Sequence, residues 1–115
     1  MTTFNTVREQ NSSRAKRWHQ ADVAGSWSGA DWSNAMCGEA GETANVVKKL
    51  RRIECSMPGN RDASRPELLS KLADEIADTF LYLDLLAEHY GIDIDTAVVK
   101  KFNEVSEREH FPERL

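Results

Sequence analysis

The stretches Gly38-Glu39-Ala40-Gly41-Glu42 and Glu75-Ile76-Ala77-Asp78 decide the fold. Each lies in a run with helical apolar spacing, and each puts two carboxylates one turn apart, at i and i+3, on one helical face. At about 100° per residue, Trp32 and Leu50 define a line along the first of these helices, and Glu39 lies about 20° from it. Leu68 and Leu86 define the matching line on the other helix, with Glu75 again about 20° away. Both acids therefore fall in the apolar stripe, where uncompensated charge is costly. Four carboxylates facing a shared core, Glu39, Glu42, Glu75 and Asp78, need a cation. Mg²⁺ is expected, because it is a hard ion that takes oxygen ligands, and Mn²⁺ is the substitute.

The rest of the chain bounds what this pocket can belong to. A length of 115 residues fits one domain with a modest core, which oligomerisation would enlarge. With 40% hydrophobic and 30% charged residues the composition is that of an ordinary globular protein. The net charge of −4 gives no electrostatic case for nucleic acid. No apolar run is long enough to span a membrane, and Met1-Thr-Thr-Phe-Asn-Thr-Val-Arg8 is too polar for a secretory signal. Cys37 and Cys55 lack zinc-type or redox-type spacing, so reduced thiols in the cytoplasm are expected.

Four helices are expected and no strand. The first, from about Phe4 to His19, has a weak apolar line of Phe4, Val7, Ala15 and Trp18. Asn11 falls on that line and Arg14 near it: either the helix is loosely packed, or both point at something polar in the core. Ala21 to Ala30 reads as a loop, with Gly25, Ser26, Ser28 and Gly29. Within it Trp27 either anchors the loop or stacks on a ligand base.

Asp31 is the expected N-cap of the second helix, which runs to about Arg52 with Trp32, Met36, Ala40, Val47 and Leu50 inward. Gly38 and Gly41 cost roughly 1 kcal/mol each there relative to Ala, so either something approaches the backbone closely or the helices pack tightly. Lys48-Lys49-Leu50-Arg51-Arg52 suits a helix C-terminus, and Lys49, two turns beyond Glu42, is within reach of an anionic ligand. Glu54 to Arg65, with Pro58, Gly59, Asn60 and Asp62, reads as a connection.

Ser64 and Pro66 announce the third helix, which runs to about Tyr90 and stops at Gly91. Its expected core residues are Leu68, Leu72, Ile76, Leu83 and Leu86, with Tyr82 one turn beyond Asp78. Asp93 or Asp95 caps the fourth, from about Ile94 to Glu109, whose apolar line is Ile94, Val98, Phe102 and Val105. Lys101 falls inside that line and Arg108 at its edge. Lysines usually snorkel to solvent, but an acidic cluster holding a phosphate needs a counter-charge, and Lys101 is expected to supply it. The tail Phe111-Pro-Glu-Arg-Leu115 is expected to pack through Phe111 and Leu115. Short connections and inward stripes suggest a four-helix bundle.

The chain resembles the MazG-like, all-α nucleoside triphosphate pyrophosphohydrolases. The likeness rests on Gly38-Glu39-Ala40-Gly41-Glu42, on Glu75-Ile-Ala-Asp78 with Tyr82, and on Gly91-Ile-Asp-Ile-Asp95 leading into Lys101-Phe-Asn103. It covers roughly Trp32 to Pro112. The resemblance implies Mg²⁺ bound by Glu39, Glu42, Glu75 and Asp78. It also implies cleavage of a (deoxy)nucleoside triphosphate between the α and β phosphates, to a monophosphate and pyrophosphate, in nucleotide-pool control or house-cleaning. A homodimer or homotetramer with sites near the subunit interface is implied as well. The stretch before Trp32 does not match the base-recognition region of the better-known subgroups, so dUTP, dCTP, a broad set and altered nucleotides all stay open.

The chemistry agrees with the residues. Metal ions invert the field of bare carboxylates, polarise a phosphoryl oxygen and acidify a bound water. One of the four carboxylates would serve as general base. Lys101, with Lys49 or Arg108, would neutralise pyrophosphate, Tyr82 and Asn103 would touch sugar or phosphate, and one of Trp18, Trp27 and Trp32 would stack on the base. Three alternatives stand beside this. A phosphoribosyl-ATP pyrophosphatase-like enzyme would share fold and motif. A non-catalytic helical oligomerisation module would keep the bundle alone. A di-iron bundle would need Glu-x-x-His on two helices, and the chain has one instance, Glu107-Arg-Glu-His110.

Overall fold

The computed structural model describes residues 3–24, 27–59 and 63–115, with 19–24 as backbone only. Among these residues it is all-α: α1 (Phe4–Ala24), α2 (Gly29–Glu54), α3 (Arg65–His89) and α4 (Ile94–Arg108), with no strand. Gly25, Ser26, Asn60 and Asp62 of the expected loops lie outside the described residues.

Local chemistry sets the helix ends. Thr3 and Thr6 open α1 reciprocally: Thr6 N donates to Thr3 Oγ1 at 3.2 Å and Thr3 N to Thr6 Oγ1 at 2.8 Å. At α2 the cap is Ser28 rather than the expected Asp31. Ser28 Oγ accepts from Asp31 N at 3.2 Å while Asp31 Oδ2 accepts from Ser28 N at 2.8 Å, a capping box that starts the helix three residues early. Ser64 and Glu67 build a second box before α3. That helix ends where Gly91, at φ +66°, lets Ile92 N reach back to Ala87 O at 2.9 Å. Asp93, not Asp95, caps α4 by accepting from Thr96 N at 2.8 Å.

The chain forms two compact units, and α3 contributes to both. The unit of Trp27–Leu83 holds α2 and most of α3. Val46, Leu50 and Leu68 form its buried cluster, flanked by Ile53, Ala63 and Leu72. Along the pair, Trp32 meets Tyr82, Thr43 meets Thr79, and Val46 and Leu50 meet Leu68. Residue numbers rise along α2 as they fall along α3, so the two helices run antiparallel.

The other unit joins Met1–Ser26 to Asp84–Leu115. Asn11, Ser12, Asp84 and Ser106 are its buried polar residues, and Leu85 and Ala87 its buried apolar ones. Asn11 does point at a polar partner, donating from Nδ2 to Asp84 Oδ2 at 3.0 Å, whereas Arg14 is exposed.

Several expected core positions are open to solvent. Val47, Ile76 and Leu83 are exposed, as are Val98 and Phe102 on α4 and Trp18 on α1. On α2 Trp32 and Leu50 are buried as expected, but between them Val46 rather than Val47 is fully buried. Phe111 and Leu115 do not pack inward either. The tail is held by its backbone instead: Asn103 Nδ2 donates to Leu115 O at 3.2 Å, and Leu115 N donates to Asn103 Oδ1 at 2.9 Å.

Candidate metal centre

The two acid pairs meet between α2 and α3. Glu39, Glu75 and Asp78 each offer a carboxylate oxygen, and these oxygens lie within 4.8 Å of one another. Glu42, on the same helical face as Glu39, adds a fourth charge that acts on both the Glu39 and the Glu75 carboxyl. The i, i+3 spacing puts each pair on one face, and the antiparallel packing of α2 on α3 turns the two faces together.

The acids are less enclosed than expected. Glu39 and Glu75 are half-buried, and Glu42 and Asp78 are exposed. Full burial of four like charges would be prohibitive without a permanent counter-ion. One side of the cluster stays wet, where an ion or a substrate has access.

Partial burial and crowding disturb the titration. Burial, then the charges of Glu42 and Asp78, push the Glu39 carboxyl above its ordinary value. The Glu75 carboxyl is raised first by burial and next by Glu42, against the pull of Lys71. Like charges held this close disfavour the ionised form. An all-oxygen donor set from three or four carboxylates fits Mg²⁺ or Mn²⁺ and offers nothing to a soft metal.

The surroundings sort the other expected residues. Tyr82 is half-buried and packs on the buried Trp32, with ring centroids 6.5 Å apart. Trp27 lies 4.5 Å from Trp32, centroid to centroid, so it anchors the segment before α2. Lys49 is half-buried on α2. Lys101 belongs to the other unit and is not drawn inward: its side chain is exposed, with Nζ 3.9 Å from Glu104. On a helix face that is itself half in water, a long side chain reaches solvent at no desolvation cost. Arg108 is likewise exposed and pairs with Glu109. Asn11 and Asn103 make their contacts with Asp84 and Leu115 within that same unit.

The glycines beside the acids are not explained by tight packing. A Cβ built at Gly38 or Gly41 meets no atom within 4 Å. Glu107 and His110 do not share a helical face, because α4 ends at Arg108 and His110 sits in the left-handed region at φ +58°. The di-iron alternative thereby loses its ligand pair.

Two features of the centre escaped the sequence reading. Lys71, one turn before Glu75, is the cation whose charge acts on that carboxyl; its i, i+4 spacing was the available signal. Thr43 and Thr79 were the other omission. Each follows its acid pair directly, so Glu-Ala-Gly-Glu-Thr (39–43) and Glu-Ile-Ala-Asp-Thr (75–79) are one pattern written twice. No protein-family model matches the chain, and neither the curated proteins nor the solved structures give a match.

Proposed function

We propose that the chain is a Mg²⁺-dependent nucleoside triphosphate pyrophosphohydrolase of the MazG-like type, releasing a monophosphate and pyrophosphate. The observation that carries this is the convergence of Glu39, Glu75 and Asp78 from two helices, with the charge of Glu42 acting on two of them. The resemblance of the same residues to that family supplies the substrate class.

Bare carboxylates would repel a polyphosphate. When bound, the divalent ion reverses that field, polarises a phosphoryl oxygen and acidifies the attacking water. Glu39, Glu75 and Asp78 would hold it. Glu42 stands outside the trio, with its charge acting on two of its members, and its carboxylate oxygen would take the proton from the water. Lys49 and Lys71, both on this helix pair, balance charge on the departing pyrophosphate. Tyr82, one turn beyond Asp78, borders the nucleoside side.

The exposed Ile76 and Leu83 on α3 and Val47 on α2 support self-association into a homodimer or homotetramer. The free thiols of Cys37 and Cys55 suit the cytoplasm. The test is a panel of nucleoside triphosphates and phosphoribosyl-ATP, incubated with Mg²⁺ and read by pyrophosphate release. A monophosphate plus pyrophosphate from at least one nucleoside triphosphate is expected. Turnover of phosphoribosyl-ATP alone would move the assignment to that enzyme, and orthophosphate or no product would end it.

A further inference from the structure

Thr43 and Thr79 touch across the helix pair, Oγ1 to Oγ1 at 3.2 Å. Each hydroxyl is also tied to its own helix. Thr43 Oγ1 donates to Glu39 O at 3.1 Å, and Thr79 Oγ1 donates to Glu75 O at 2.8 Å. A hydroxyl has one proton and two lone pairs. Two protons must therefore serve three contacts. Both hydroxyls bond a carbonyl of their own helix, so one of the two protons is shared with the bridge, whichever oxygen donates it. The result is a chain from the backbone of one metal-site glutamate, through two hydroxyls, to the backbone of the other.

This arrangement has a cost that calls for a return. Threonine is a poor helix former, and its bond to the i−4 carbonyl competes with the helix ladder. Both threonines line an apolar depression of about 260 Å³ with Ala40, Ile76, Phe80 and Leu83. Valine would fit these surroundings and keep the shape. A hydroxyl there is useful only if direction matters.

We infer that the Thr43–Thr79 hydroxyl bridge is the register pin of the carboxylate cage, setting Glu39 and Glu42 against Glu75 and Asp78 closely enough to favour a small divalent ion over a large one. The pin rests on the metal-centre assignment proposed above. The physical ground is tolerance. Mg²⁺ accepts oxygens at about 2.0–2.1 Å in a strict arrangement, whereas Ca²⁺ takes them at about 2.3–2.6 Å in a loose one. The apolar contacts of Val46 and Leu50 with Leu68 are non-directional and permit small slides of one helix along the other. A slide of a few tenths of an ångström is enough to lose the distinction. A hydrogen bond between two half-buried hydroxyls across the helix pair is directional and resists it. Thr43 and Thr79 are thus positioning residues that touch neither ion nor substrate.

The experiment follows Mn²⁺ binding to the full chain by electron paramagnetic resonance of the free ion, without nucleotide. Bound Mn²⁺ is then displaced with Mg²⁺ or with Ca²⁺. The wild-type chain and the double variant Thr43→Ser with Thr79→Ser are expected to bind Mn²⁺ and to prefer Mg²⁺ over Ca²⁺. Thr43→Val and Thr79→Val should keep their helical circular dichroism, lose about tenfold in Mg²⁺ affinity and lose most of the preference. Either change alone breaks the bridge, so the double valine variant should be no worse than the singles. If the double variant fails to fold, the singles decide. Valine variants with the wild-type Mg²⁺/Ca²⁺ ratio would overturn the pin while leaving the metal centre standing. A wild-type chain that binds no Mn²⁺ would overturn the metal centre and the pin with it.

Discussion

Arg8 and Asp84 form an ion pair, with Arg8 Nε 2.6 Å from Asp84 Oδ1 and the Asp84 side chain almost shut off from water. Asn11 Nδ2 donates to the second oxygen, so the carboxylate is partnered on both sides. Arg8 also donates from Nη2 to Ile92 O at 3.2 Å, tying α1 to the turn before α4. Removing one partner of a buried pair strands the other charge, at a cost of about 3–5 kcal/mol. Arg8→Ala should lose about 3 kcal/mol or more in urea denaturation, and Asp84→Asn less, since the charge it leaves unpaired, on Arg8, is partly open to water. An Arg8→Ala variant within 1 kcal/mol of wild type, by the order of magnitude of exposed pairs, would show that the pair is effectively solvated.

Gly38 and Gly41 make a prediction of opposite sign. Alanine in a helix interior is favoured over glycine by about 0.8–1.0 kcal/mol, and the new Cβ meets nothing at either position. Gly38→Ala and Gly41→Ala should each raise stability by about that amount, measured by chemical denaturation. Both glycines precede a carboxylate of the candidate metal centre, so under the proposed function pyrophosphate release should fall in at least one of the two variants even as the fold strengthens. A gain in stability with activity unchanged in both would mean that no substrate approaches that backbone.

The helices were legible because amphipathic spacing and cap residues are local signals. Their boundaries moved where two caps competed: Ser28 and Asp31 bond each other, and either alone looks like an N-cap. The four acids were legible for the same local reason, since i, i+3 pairs declare a face. What lies opposite a face is not local. Ile76 and Leu83 continue the stripe of Leu68 yet remain exposed, because periodicity records that a face is apolar and not what covers it. Asp84 was hidden among leucines, and its burial makes sense only once Arg8 and Asn11 have been brought to it from far along the chain. The threonine bridge was written as a repeated pentad, but a threonine at i+4 is ordinary helix content until its twin lies across from it.

The raised carboxyls set a pH dependence. Folding lifts Glu39 and Glu75 above the ordinary value of 4.5, so in this range the folded chain binds more protons than the unfolded one. Their contribution to stability is full below 4.5 and is lost as pH rises through the folded values. The capping carboxylates Asp31 and Asp93 act the other way, lowered from 3.8 by bonds from Ser28 and Thr96. They hold their contribution above 3.8 and lose it as pH falls through the folded values. In chelator, Glu42→Gln should therefore gain in melting temperature over wild type as pH rises from about 4.5 towards neutrality, since it removes a neighbouring charge from both raised groups. Calorimetric scans across that range check this, and a difference independent of pH would show that the acids do not sense one another.

Glu39→Ala and Asp78→Ala separate the fold from the chemistry. Glu39 is only half-buried and Asp78 is exposed, so neither truncation opens the apolar cluster of Val46, Leu50 and Leu68. Each also removes one charge from a mutually repelling group. Without metal the helical circular dichroism should be unchanged, and the melting temperature equal to wild type or higher. With Mg²⁺ the order reverses. A ligand at a hundred times its dissociation constant stabilises the folded chain by about 2.7 kcal/mol, and the variants should forfeit most of that increment. Loss of an outer hydrogen-bond partner of a metal ligand costs about 10–100-fold, so loss of a ligand should cut pyrophosphate release by more than about a hundredfold. Melting curves with and without Mg²⁺, run beside the product assay, read both effects in the same samples. Variants that keep the Mg²⁺ increment and the turnover would place the metal elsewhere.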